Sequence, residues 1–93
     1  MPLSVSIQSV TLAGAQGVRV AGTGGPNGAT ISVSIQIDGD GNGHGATLVN
    51  NGRWSVIVNM QNVQSGQTGT ATAGATSPQF PGQTAQDSMD FTL

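Results

Sequence analysis

Apolar and polar positions alternate one for one from the start of the chain. Leu3, Val5 and Ile7 are set against Ser4, Ser6 and Gln8, the period of a strand with one face buried. The phase then slips, because Val10 and Leu12 are even-numbered. One extra residue near Ser9, as a bulge or strand switch, would turn both back toward the core. A second run carries Val18 and Val20 with Arg19 outward and ends in Gly22–Gly25. Ile31, Val33, Ile35 and Ile37 against Ser32, Ser34, Gln36 and Asp38 form the clearest run. Trp54, Val56 and Val58 point one way and Arg53, Ser55 and Ile57 the other. Thr68, Thr70 and Thr72 alternate with Gly69, Ala71 and Ala73, and a last run places Met89, Phe91 and Leu93 together.

Turn chemistry separates these runs. Gly14–Gly17 and Pro26-Asn27-Gly28 are turn signals, since Pro presets φ and Asn and Gly tolerate positive φ. Asp38 to Gly45 reads as a glycine-rich loop, followed by a short strand from Ala46 to Val49. Asn51-Gly52 then predicts a tight hairpin joining that short strand to the run from Arg53. Nothing has helical period. About seven short strands with frequent turns predict an all-β fold, an immunoglobulin-like β-sandwich, with residues 1–93 forming one domain.

Composition narrows the function. Hydrophobic residues make up 35% of the 93 and charged ones 6%, with a formal net charge of −2. The core is therefore thin and rich in β-branched residues, and assembly with a partner would add to its stability. Two separated arginines cannot displace counterions from phosphates, which excludes nucleic-acid binding. No apolar run is long enough to cross a bilayer and no basic amphipathic helix could lie on one, so no membrane insertion is expected. With no Cys there is no disulfide, which fits both a reducing cytoplasm and cysteine-free surface proteins. Met1-Pro2-Leu3 leads straight into a strand without the charged and apolar regions of a signal peptide. That predicts a free-standing protein used without secretion, the alternative being a segment of a longer secreted one.

Three stretches then carry a resemblance: Val18-Arg19-Val20-Ala21-Gly22-Thr23, Pro26-Asn27-Gly28-Ala29-Thr30-Ile31-Ser32-Val33 and Asn51-Gly52-Arg53-Trp54-Ser55-Val56. In that order they resemble the bacterial immunoglobulin-like (Big-type) repeat, and Thr68 to Thr76 looks like its penultimate strand. The resemblance implies the sandwich fold and a non-catalytic role in tandem-repeat adhesins, other surface proteins or phage virions. It carries over no catalytic residue.

The candidate chemical sites are few. Asp38, Asp40 and Asn42 match the first half of a calcium loop, but the acid needed at its twelfth position falls on Val49 and the chain has no Glu. A turn built from Asp and Gly explains the same residues, so no cofactor is expected, with calcium as the alternative. His44 stands in that loop as the sole histidine and, with no Cys, Tyr or Lys in the chain, completes no nucleophilic triad. Asp87 and Asp90 imitate a glycosidase pair, yet odd and even positions of one strand point to opposite faces. One of them discouraging strand addition at an edge is the simpler role. Trp54 shares the phase of Val56 and Val58 and belongs to the core rather than to a sugar-stacking platform. Ile57, on the wet face, and Phe80, between Pro78 and Pro81, are the candidate binding residues. Gln64–Gln67 and Ser77–Gln86 are candidate binding loops.

These readings exclude an enzyme and predict a structural or binding module. The expected role is decoration of a larger assembly such as a phage virion, with a protein partner or parent assembly and a homo-oligomer as one form of it. The alternatives are a repeat of a bacterial cell-surface adhesin, or a small carbohydrate-binding module.

Overall fold

The computed structural model describes residues 3–14, 17–38, 41–60 and 63–93. Seven strands follow in order: β1 (Ser4–Leu12), β2 (Gly17–Gly25), β3 (Thr30–Ile37), β4 (Gly41–Leu48), β5 (Arg53–Asn59), β6 (Thr68–Thr76) and β7 (Ala85–Thr92). They form two sheets, β1-β2-β5 and β4-β3-β6-β7, and every pairing is antiparallel. The expected all-β sandwich of seven strands is what the chain adopts, and it is compatible with an immunoglobulin-like domain. The molecule measures 38 × 21 × 17 Å. A nine-residue strand spans about 30 Å, so the strands run along the long axis and the turns gather at its two poles.

The alternation read from the sequence becomes the core. Val18, Val20, Ile31, Val33, Ile35 and Val58 are the largest fully buried side chains. Gly69, Ala71, Ala73 and Ala75 form the buried face of β6, and their small size brings the sheets close together. The phase slip in β1 is a bulge: Ile7 pairs with Gly22 and Ser9 with Ala21, leaving Gln8 unpaired. Val10 is buried as a result. Leu12, expected to follow it inward, lies at the end of the strand and is exposed.

Each sheet sets an aromatic ring over a cross-strand glycine. Trp54 pairs with Gly22, and Phe91 with Gly69. A Cβ at Gly22 would meet the Trp54 ring at 2.7 Å, and one at Gly69 would meet the Phe91 ring at 2.8 Å. The glycines are open floors on which the two rings lie.

Two expectations are corrected. The glycine-rich stretch is not a long loop, because β4 begins at Gly41 and pairs with β3 without a break from Ile37↔Gly41 to Thr30↔Leu48. Its glycines themselves have strand period. Gly43 and Gly45 face inward, where added Cβ atoms would meet Val58 at 2.9 Å and Val56 at 3.1 Å. The bare backbone of β4 therefore lies directly against β5. Nor does Asn51-Gly52 join two partners in one sheet. The turn itself is as expected, with φ of 54° and 75° and reciprocal Asn50–Arg53 backbone bonds of 2.8 and 3.0 Å. Past that single bridge, β4 goes to β3 and β5 goes to β2. The eight-residue ladder with β3 outweighs that single bridge, and it sets the glycine face of β4 against β5. In constant-type immunoglobulin domains the fourth strand stays beside the fifth; here it crosses to the other sheet.

Candidate functional site

At the pole that carries the turns after β2, β4 and β6, the first two turns are joined by hydrogen bonds. Gly52 N donates to Asn27 Oδ1 at 3.0 Å, and Gly24 N donates to the Gly52 carbonyl at 3.0 Å. Gly28 N donates to the Val49 carbonyl at 2.9 Å. The Pro26-Asn27-Gly28 and Asn51-Gly52 turns thus form one bonded unit. Trp54 lies beneath it, 4% exposed, with Nε1 donating to the Thr23 carbonyl at 2.9 Å. The indole is satisfied and inward, as its phase indicates, and offers no stacking platform.

The half calcium motif is dispersed. Asp38 lies in the β3–β4 turn, and its Oδ2 accepts from the Thr68 hydroxyl at 3.0 Å. Asn42 is an exposed β4 residue opposite Gln36, and Asp40 lies outside the described residues. Among the described residues no three His, Cys, Asp or Glu side chains converge on a point. His44 is on the outer face of β4 opposite Ser34, not in a loop.

Asp87 and Asp90 do point to opposite faces. Asp90 is exposed and accepts from the Thr70 hydroxyl at 3.0 Å. Asp87 turns toward β1, half-buried, and its Oδ2 accepts the Ile7 amide at 2.7 Å. Ile7 borders the bulge at the open edge of β1, so this carboxylate ties one sheet's edge to the other's. The sequence did not reveal that role, since nothing local pairs residues 7 and 87.

Ile57 is 50% exposed on the outer face of the three-stranded sheet, opposite Arg19. Arg53 is on the same outward face, opposite Thr23. A groove of about 840 Å³ crosses from Gln8 through Ala21 and Ser55 to Arg53, Thr47 and Leu48, where Leu48 is 59% exposed. Phe80 is half-buried in a run of turns, with its amide donating to the Ser77 carbonyl and its carbonyl accepting from Gln83 N, both at 3.1 Å. The Gln64–Gln67 loop is held to the C-terminus by Leu93 N, which donates to the Gln67 carbonyl at 2.8 Å.

No known family matches the chain, and no curated protein matches it in sequence. Among solved structures, it is similar to the solution NMR structure of a conjugate transposon protein (residues 27–141) from Bacteroides vulgatus. That similarity is 16% identity at a TM-score of 0.48, covering 98% of this chain and 84% of that one. No residue role transfers at that level.

Proposed function

We propose that this chain is a non-catalytic attachment module that decorates a larger assembly such as a phage virion. The observation that carries the reading is the outer face of the four-stranded sheet. Ser32, Ser34, Gln36, Thr70, Thr72 and Ser88 stand outward in register across it, a broad, nearly uncharged surface of hydroxyls and amides. Such a face holds a partner through many hydrogen bonds rather than a few ion pairs. No cofactor enters this function.

The alternative, a repeat of a bacterial cell-surface adhesin, is supported by the Big-type resemblance, whose two turn motifs are the ones bonded together at one pole. A carbohydrate-binding module is disfavoured. Trp54 and Phe91 are buried, which leaves Phe80 as the stacking candidate.

Retention on the parent assembly from low to high ionic strength tests the reading. Attachment through this face should change little with salt, because there is little charge to screen. Release at moderate salt would instead assign the contact to Arg19, Arg53 and the aspartates.

A further inference from the structure

An asparagine followed by glycine can lose its side-chain amide, because glycine puts no Cβ in the way when its backbone nitrogen turns back on the asparagine Cγ. The chain has three such pairs, Asn27-Gly28, Asn42-Gly43 and Asn51-Gly52, and all three asparagines are exposed. The fold holds them unequally. At Asn27-Gly28 both reacting groups are engaged: Gly28 N donates to the Val49 carbonyl at 2.9 Å, and Asn27 Oδ1 accepts from Gly52 N at 3.0 Å. Asn42-Gly43 lies inside β4, whose ladder with β3 is unbroken, so its extended backbone turns only if the strand leaves the sheet. At Asn51-Gly52 the attacking nitrogen is held by the bond from Gly52 N to Asn27 Oδ1, on the exposed surface of the pole. The bonds at Asn50, Arg53 and the Gly52 carbonyl close the turn without engaging that nitrogen.

We propose that Asn51 is a site of spontaneous covalent modification, conversion to aspartate and isoaspartate, and that Asn27 is the residue that guards it. Gly52 N gives up its proton to solvent base and bonds to Asn51 Cγ. The Cγ–Nδ2 bond breaks, and ammonia leaves with a proton returned from solvent. Water then opens the cyclic imide at either carbonyl. One opening gives aspartate; the other gives isoaspartate, whose backbone runs through the side-chain carbonyl and is longer by a methylene. Loss of the proton and rotation of the nitrogen toward Cγ both require the bond to Asn27 to break first. The rate therefore follows the population of the opened turn. The product sets a carboxylate in the turn above Trp54, close in sequence to Arg53, and the lengthened isoaspartate backbone no longer fits a two-residue turn.

This modification is independent of attachment to any parent assembly. Incubation of the full chain at mildly alkaline pH, followed by peptide mapping with mass spectrometry, tests it, and the three pairs in one sample serve as references for one another. Conversion at Asn51 should run ahead of conversion at Asn27 and Asn42. Asn27→Ala should speed conversion at Asn51 about fivefold, the effect of losing one hydrogen bond of ordinary strength, with the rate at Asn42 unchanged. Asn27→Asp keeps an acceptor for Gly52 N and should keep the slow rate. Absence of conversion at Asn51, conversion led by Asn27 or Asn42, or an Asn51 rate indifferent to Asn27→Ala overturns the proposal. Equal acceleration at Asn51 and Asn42 would mean that the substitution loosens the whole fold, and it overturns the guarding role of Asn27.

Discussion

Trp54 shows how one residue concentrates the stability of a thin core. Its ring covers Gly22, its indole N–H is satisfied by Thr23, and Phe91 is the one other aromatic ring in a core made mostly of β-branched side chains and alanines among the described residues. Trp54→Ala should cost roughly 3–5 kcal/mol, a large part of a small domain's total stability. Loss of the cooperative melting transition near room temperature is the expected result. Asp87 acts differently, through one contact that spans the chain. Asp87→Ala leaves the Ile7 amide facing the seam without its partner, at a cost of about 1–3 kcal/mol. Asp87→Asn keeps an acceptor and should recover part of the loss in urea titration. Asp90→Ala, on the open face, should change little.

At the scale of the element, β4 gains its place from what it lacks. Gly43 and Gly45 let its backbone approach Val58 and Val56, where an added Cβ would meet them at 2.9 and 3.1 Å. Gly43→Val should therefore destabilise by about 1–3 kcal/mol through overpacking. Asn42→Val, one position along on the exposed side, should stay within about 0.5 kcal/mol. Equal effects from the two substitutions would mean that β4 does not rest on β5.

For the whole molecule, arginines and acids are separated between the sheets. Arg19 and Arg53 stand on the outer face of the three-stranded sheet, while Asp38 and Asp90 belong to the four-stranded one. Among the described residues, neither surface gathers an ion site. Calcium should accordingly leave the melting temperature unmoved. A site filled at a hundred times its dissociation constant would add about 2.7 kcal/mol, a shift of roughly 10 °C or more in a chain of this size. A shift of that size, lost in Asp38→Ala, would establish a metal site in the β3–β4 turn.

The sequence by itself determined most of the strands, their faces and the tight turns, because these depend on neighbours two residues apart. Ile31 to Ile37, the slip between Ile7 and Val10, the inward phase of Trp54 and the positive φ at Asn51 and Gly52 were all legible in that way. Glycines at alternate positions, 41, 43 and 45, were the available signal for β4, hidden because glycine also marks loops. Only the tertiary structure decided which strands pair. A two-residue turn sets the local hairpin, but the choice between β3 and β5 as the partner of β4 depends on how the two sheets pack together. The same holds for Asp87, whose partner lies 80 residues away. Contacts of that kind arise from packing two sheets together, and no local period encodes them.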